Sequence, residues 1–339
     1  MKRPDGTWDP FDDHVLDFAI ERMRAGEGMA LVTLVEIEGS SPRPIGAQMA
    51  VSESGTWVGY VSGGCIERAI AAEAVDAIAS GRSRRVRYGR GSRYIDISLP
   101  CGAAIELVFD VSVPLARLLA IDSKLRQRRA ATLEIPLSGP RVDGAREEKT
   151  FLLRHYLPRR RLVVLGLGPV PVHLARIAVS AGFEVVLHTP DDLTADAVRD
   201  LEVGIGGPAE PENLGNTDSR SAIVFAFHDH EREERLLPAA LASDAFYIGA
   251  MGSHATQARR LEHLGRTGFA SSQLERIHGP AGLLPHARSA SDLALSILAQ
   301  VVEAARRAED IAAASPTPAI IPPDIRRRGH DEAPPEARL

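Results

Sequence analysis

The sequence predicts an α/β chain in two parts, an N-terminal α+β domain followed by a parallel sheet covered by helices. Three observations predict it. The chain has 339 residues, which at about 150 residues per domain is roughly two domains. From residue 161 onward, strand-like and helix-like stretches alternate, the pattern of a parallel sheet with helical crossovers. Before that point, strands come in short groups joined by turns, with few helical stretches between them.

Asp9 is placed to cap a helix opening at Pro10, because proline at the first helical position gives up only an N–H that would be unpaired. Val15, Phe18, Ala19 and Met23 then share a face, and Gly26 is a stop. Residues 29–37 are mostly apolar and rich in β-branched side chains, so they read as a buried strand. After a loop over 38–46, strands at 48–52 and 56–61 flank a Ser54-Gly55 turn. Ser62-Gly63-Gly64-Cys65 leads into a helix with Ile66, Ile70, Ala74, Ala77 and Ile78 on its apolar face, ended by Gly81. Strands are expected at 85–88, 94–99 and 105–111, a helix at 114–130, and a strand pair at 132–136 and 150–156. Pro158 and the basic run Arg159-Arg160-Arg161 read as a solvated linker, so domains are expected at 1–157 and 158–310. The second part reads as strand 161–165, the tight turn Gly166-Leu167-Gly168, helix 170–181 and strand 184–187. Strand 221–227, helix 231–242, strand 246–249 and helices at 253–264 and 291–308 follow. Residues 311–339 are Pro-rich and charged and are expected to form a disordered tail.

Composition narrows the function. Forty Lys and Arg stand against 45 Asp and Glu, so nothing pulls the chain toward nucleic acid or an acidic membrane. Two cysteines make no disulfide framework and cannot alone close a structural zinc site. The first residues carry no apolar run, and no stretch reaches the ~20 apolar residues of a membrane helix. A soluble cytoplasmic protein with reduced thiols is expected.

Several motifs bear on chemistry. Gly166-Leu167-Gly168 between a strand and a helix is half of a dinucleotide-binding turn, in which glycines admit a pyrophosphate to the helix N-terminus. The third position of that motif is Pro171, and the next strand ends in His188-Thr189-Pro190-Asp191 rather than at a ribose-binding acid. An NAD(P) site and a purely structural turn are both readings. Gly63-Gly64-Cys65 places a thiol where a helix begins, which favours the thiolate; the other reading is a small packing residue. Cys101, on the turn Pro100-Cys101-Gly102, belongs to a soft-metal site, a thiol relay or neither. Ser40, Ser41 and Arg43 offer hydroxyls and a guanidinium suited to a phosphate or polar ring, or form a rigid surface turn. His228-Asp229-His230 sits at a strand end as a ligand site or a helix cap. Gly249, Gly252 and Ser253 lie at another strand end, as an anion loop or with Ser253 as a cap.

In order along the chain stand Gly39-Ser40-Ser41-Pro42-Arg43-Pro44-Ile45-Gly46-Ala47, Ser62-Gly63-Gly64-Cys65-Ile66-Glu67 and Leu99-Pro100-Cys101-Gly102. Tyr247-Ile248-Gly249-Ala250-Met251-Gly252-Ser253, Ala258-Arg259-Arg260-Leu261, Arg276-Ile277-His278-Gly279-Pro280 and Ala294-Leu295-Ser296-Ile297-Leu298-Ala299 follow. Together they resemble the xanthine dehydrogenase accessory factor (XdhC/CoxI) family over residues 12–306. The resemblance implies a cytoplasmic, often dimeric helper of molybdenum hydroxylases with a C-terminal Rossmann-like domain. Such a chaperone binds molybdenum cofactor (molybdopterin), protects it while a cysteine desulfurase supplies its sulfido ligand, and delivers it to the apo-enzyme. It is not itself a hydroxylase, so no catalytic residue is assigned.

Under this resemblance the cofactor-binding candidates are Ser40, Ser41, Arg43, Gly63, Gly64, Cys65, Cys101, Gly166, Gly168, Gly249, Gly252 and Ser253. Arg43 and its loop take the anionic end, and Cys65 meets molybdenum or its sulfur. The sequence departs from the family in three places: Gly102-Ala103-Ala104 replaces a glycine run, Gly168-Pro169 replaces Gly-His, and Thr189-Pro190-Asp191 replaces Asp-Pro-Arg. The alternatives are an NAD(P)-dependent oxidoreductase and a scaffold that docks on a molybdoenzyme without carrying pterin.

Overall fold

The computed structural model describes residues 6–92, 103–137, 151–215, 217–227, 230–285 and 287–314. Contacts divide the chain into two units between Leu157 and Pro158. In the first unit the elements run α1 (Val15–Arg24), β1 (Met29–Glu38), β2 (Gln48–Ser52), β3 (Trp57–Gly59), α2 (Glu67–Ser80), β4 (Arg84–Gly89), β5 (Ala104–Asp110), α3 (Leu115–Arg126), β6 (Ala131–Pro136) and β7 (Phe151–Tyr156).

An antiparallel sheet in the order β3-β2-β1-β5-β4 forms the centre of this unit, and β6 pairs with β7 apart from it. The first six residues of the central strand β1, apolar except for Thr33, are all buried because both of its faces are covered there. Ala30, Val32 and Leu34 pack with Ile70, Ala74 and Ala77 of α2. Met29 and Leu31 point the other way, into a cluster with Phe18 of α1, Leu118 and Ile121 of α3, and Ile135 of β6. Each of the larger side chains among these contributes about 1.5–3 kcal/mol on full burial.

The first helix departs from expectation. It starts at Val15, with His14 as N-cap, rather than at Pro10. The Pro10 carbonyl accepts the Gly59 N–H at 3.0 Å, which ties this segment to β3. Asp9 accepts from Phe11 N at 3.0 Å, so it caps a turn and not the helix.

The second unit contains β8 (Arg161–Gly166), α4 (Pro169–Ser180), β9 (Glu184–His188), α5 (Asp192–Asp196), β10 (Val203–Gly206), α6 (Pro211–Gly215), β11 (Ser221–Ala226), α7 (His230–Ala242), β12 (Tyr247–Ala250), α8 (His254–Arg266), α9 (Ser271–Leu274), β13 (Ile277–His278) and α10 (Ala290–Ala314). Its strands are all parallel, in the order β10-β9-β8-β11-β12-β13. Renumbered from β8, that is the 3-2-1-4-5-6 order of the doubly wound Rossmann fold. One face packs on α4 and α10, the other on α6, α7 and α8. A buried ion pair, Arg260 with Glu233, each 4% exposed, joins α8 to α7, and Arg260 also donates to the Met251 carbonyl at 2.9 Å.

Several short elements have no counterpart in the sequence reading. α5, β10 and α6 lie in the stretch after His188, and β10 is a Val-Gly-Ile-Gly edge strand with no apolar alternation. The one-turn helix α9 and the two-residue strand β13 are too short to show a period. Helix α10 continues to Ala314, past the expected tail start at 311. The expected strand at 94–99, Cys101, the His228-Asp229 pair and residues 315–339 lie outside the described residues. Among the described residues no helix is long and apolar enough to cross a membrane.

Gly166 ends β8 where the chain passes tightly over β11. A Cβ there would stand 2.3 Å from the Ala226 carbonyl oxygen and 2.7 Å from its carbon, backbone that has no room to yield. Gly166→Ala is expected to lower the thermal midpoint, at a cost of about 1–3 kcal/mol. An unchanged midpoint in calorimetry would contradict this packing role.

Candidate functional site

The loop after β1 and the loop between β3 and α2 meet at one corner of the first unit. A Cβ placed on Gly63 would stand 3.2 Å from Pro42 Cγ, so the two loops touch. Gly63 and Gly64 have φ of +89° and +104°, where a side chain is strained. The reason is Glu67, the first residue of α2, which is only 2% exposed. Its carboxylate accepts from Val61 N (3.1 Å), Ser62 N (2.8 Å), Ile66 N (3.2 Å) and the Ser62 hydroxyl. Burial pushes this carboxyl up, but hydrogen bonds from Ser62 and the Gly64 backbone outweigh burial and hold it below its ordinary value. Cys65 stands between the two glycines and the helix, with Ile66 as the N-cap, and its thiol is free and exposed.

Arg43 organises the other loop. Its backbone N–H donates to the Ser41 hydroxyl at 3.2 Å, so Ser41 shapes the turn, while Ser40 is exposed. The Arg43 guanidinium lies 4.3 Å from the Tyr60 ring centroid and donates to the Tyr60 hydroxyl (3.2 Å) and to Asp13 (2.7 Å). Asp13 belongs to the segment ahead of α1. In that same segment Phe11 packs edge-on to Tyr60 and would contact a Cβ on Gly64 at 3.6 Å.

Arg154 of β7 reaches this corner too. Its Cδ lies 3.4 Å from where a Gly46 Cβ would be, and its guanidinium lies 5.1 Å from the Tyr156 ring centroid. It donates to the His155 carbonyl at 2.8 Å. Burial pushes the Arg154 guanidinium below its ordinary value; Tyr156 and Asp13 oppose that shift and the positive Arg43 adds to it. The Nε atoms of Arg43 and Arg154 are both buried and make no hydrogen bond. A soft exposed thiol, two guanidinium groups and a glycine loop open to close approach suit an anionic ligand that carries a soft metal or sulfur. Ala103 lies against Gly39, 3.3 Å from its Cβ position, but Cys101 is outside the described residues. Among the described residues no group of three or more His, Cys, Asp and Glu side chains is placed to hold a metal ion.

The remaining candidates belong to the second unit. Gly166 and Leu167 line a crevice with His188, Pro190, Ala209 and Phe227, at the carboxyl ends of the strands. Arg232 lines it as well, but the turn itself offers a pyrophosphate few donors. Gly168 N donates to the Thr194 hydroxyl at 2.8 Å, and Pro169 and Pro171 have no N–H. Asp191 accepts from Thr194 N at 2.9 Å, capping α5 instead of meeting a ribose. Gly249 makes room for the Tyr247 ring, 2.5 Å from its Cβ position. Ser253 caps α8 by accepting from Thr256 N at 3.1 Å, and Gly252 packs on Thr256.

The structure thus gathers Ser40, Ser41, Arg43, Gly63, Gly64 and Cys65 at one corner, and puts Gly166, Gly168, Gly249, Gly252 and Ser253 on two turns of the other unit. The sequence reading missed Glu67, Asp13, Tyr60 and Arg154. Glu67 had a signal, an acid at a helix head two residues after the thiol. The other three arrive by tertiary folding.

Residues 162–301 match the family model of the XdhC Rossmann domain, and residues 22–89 that of the XdhC and CoxI family. The chain is similar to the molybdenum cofactor insertion chaperone PaoD of Escherichia coli (strain K12), 37% identical over 86% of this chain and 88% of the relative. It is 24% identical to a probable xanthine dehydrogenase subunit of Bacillus subtilis (strain 168), over 83% of this chain and 94% of that one. A crystal structure of a xanthine dehydrogenase from Bacillus halodurans shares the fold, with a TM-score of 0.70 at 21% identity over 86% of this chain and 96% of that chain.

Two outcomes are expected. The folded Glu67 carboxyl lies below its unfolded value, so its contribution is complete above the unfolded pKa and is lost as pH falls through the folded one. Glu67→Gln should cost roughly 1–3 kcal/mol at neutral pH, because the amide NH2 would face backbone N–H groups that only donate. Urea melts should then show the variant losing less stability than the parent between about pH 6 and pH 3; parallel acid limbs would contradict the role given to this carboxylate. Separately, calorimetric titration with NAD or NADP to about millimolar concentration should give no saturable heat, and a saturable signal would contradict this reading of the turn.

Proposed function

Because the chain belongs to the XdhC and CoxI family, we propose that it is an accessory factor of a molybdenum hydroxylase of the xanthine dehydrogenase kind. It binds molybdenum cofactor as cargo, shields it and hands it to the apo-enzyme. The observation that carries this reading is the contact between the Arg43 loop and the Cys65 loop through Pro42 and Gly63. A ligand with an anionic end and a soft metal end meets matching groups there.

The cargo is a pterin with a phosphate and a dithiolene-held molybdenum. Arg43, with the hydroxyls of Ser40 and Ser41, takes the anionic end. Gly63 and Gly64 let the cargo come close to the backbone, and the Cys65 sulfur faces molybdenum or its sulfur ligand. The family resemblance supports three further parts of the reading: the factor acts in the cytoplasm, as a homodimer, and a cysteine desulfurase supplies sulfur while the cargo is held. An NAD(P)-dependent oxidoreductase is not favoured, since Gly168 N and Asp191 are engaged within the protein.

The test is the pterin and molybdenum content of protein isolated without oxygen from cells that make molybdenum cofactor. The parent should carry pterin, released as a fluorescent oxidised product. Cys65→Ala, at an exposed position, and Arg43→Ala should each lower that content at least roughly fivefold with little change in thermal midpoint. Parental pterin in both variants would remove the site; pterin absent from the parent would remove the reading.

A further inference from the structure

Resting on that reading, we propose that Arg154 is the second guanidinium of the seat for the cargo's phosphate, beside Arg43, and that the Asp13 carboxylate is the internal competitor for that seat.

Arg154 is costly where it stands. It is a cation on β7, whose neighbours Leu152 and Tyr156 pack against the apolar cluster of α1, α3 and β6. A half-buried cation is best tolerated when it is paired, and an apolar residue would serve packing alone at least as well. Among the described residues Arg154 has no carboxylate of its own: it gives one hydrogen bond, to the next residue's carbonyl, and its buried Nε has no partner. Arg43 repeats the pattern, with one guanidinium nitrogen on Asp13 and a buried Nε without a partner.

The two side chains converge on one place. Gly46, three positions along the loop from Arg43, would touch Arg154 Cδ through a Cβ, so that loop packs against the Arg154 stem. Each guanidinium also lies by a tyrosine ring, Tyr60 for Arg43 and Tyr156 for Arg154. Tyr156 is held in turn by its hydroxyl donating to Gln48 at 2.6 Å. Aromatic backing restrains the guanidinium planes and leaves their N–H edges to an anion.

The ligand class follows from charge. One aspartate brings one negative charge to two guanidinium groups. A phosphate monoester brings nearly two, with three acceptor oxygens that suit forked N–H donors. Asp13 is 65% exposed, so the place it occupies opens to solvent and its carboxylate is free to yield to a stronger anion. The backbone ahead of it need not move, because Pro10 is pinned to Gly59 and Phe11 to Tyr60.

Calorimetry on the full chain at low salt, with inorganic phosphate as the probe, tests the seat apart from the cargo. Asp13→Asn, at an exposed position, should tighten phosphate binding roughly tenfold, and Arg154→Met added to it should return affinity to the parental level or below. Should Arg154→Met fail to fold, Arg154→Lys keeps the charge and the stem but loses the fork, and should still weaken binding several-fold. Phosphate affinity unmoved by Asp13→Asn, or left intact by the Arg154 variants, overturns the proposal. Pterin content of the same proteins separates the two claims. Phosphate results as expected with no pterin in the parent would sink the cargo reading and leave the seat standing. Pterin retained by the parent with phosphate insensitive to Arg154 would sink the seat alone.

Discussion

One buried carboxylate shapes the corner on which the functional reading rests. A charge that is nearly without solvent must be satisfied by donors, and Glu67 collects them from Val61, Ser62 and Ile66. Drawing N–H groups from both ends of a short loop toward one point leaves the middle of that loop no room to stay inside. It bulges outward, and the bulge is possible because Gly63 and Gly64 accept positive φ. Cys65 is carried out with it. A cysteine packed in an apolar pocket would be inert, whereas this one is presented to solvent by a rigid base. The contact of Gly63 with Pro42 then fixes where the Arg43 loop lies relative to the thiol.

Much of this was legible in the sequence, for physical reasons that differ from element to element. β1 could be read because burial on both faces demands a mostly apolar run, and α2 because its apolar face recurs at helical spacing and Gly81 ends it in the left-handed conformation. α1 was placed too early because Asp9 and Pro10 carry a good helix-start signal. A tertiary hydrogen bond from Gly59 claims the Pro10 carbonyl instead. β10 was missed because Val203–Gly206 is a half-exposed edge with two glycines and so has neither pattern nor propensity. In the site, the thiol and the Arg43 loop were readable as local motifs. Asp13 and Arg154 were not, because each comes from a segment far along the chain whose own pattern only says "before a helix" or "on a strand".

The second unit shows how a glycine motif can outlast the need for its ligand. The order of its strands makes the crevice where doubly wound folds bind nucleotides. Yet each feature of the turn has an internal cause. Gly166 is required by the Ala226 backbone, the Gly168 N–H is satisfied by Thr194, and Asp191 is occupied at the head of α5. A dinucleotide would have to displace Thr194 from the Gly168 N–H, and Pro169 and Pro171 have no N–H to offer in its place. The fold therefore constrains the turn even where the ligand does not, and function has to be argued from the donors left over rather than from the motif.

A carrier differs from an enzyme that keeps its cofactor, because it must let go. Each 1.4 kcal/mol of extra grip slows release about tenfold if the on-rate is fixed, so the tightest seat is not the best one. A seat with its own tethered carboxylate resolves this. When two states compete, the observed dissociation constant is the intrinsic one divided by the fraction of time the seat is open. In the proposed seat Asp13 sets that fraction without weakening any contact the phosphate makes once seated. It also gives the cation pair a counter-charge after the cargo has left, so that release does not strand two guanidinium groups together in a half-buried corner. The thiol on its glycine bulge can then supply selectivity for the metal end, while the arginines and their competitor set how much of the seat the cargo fills.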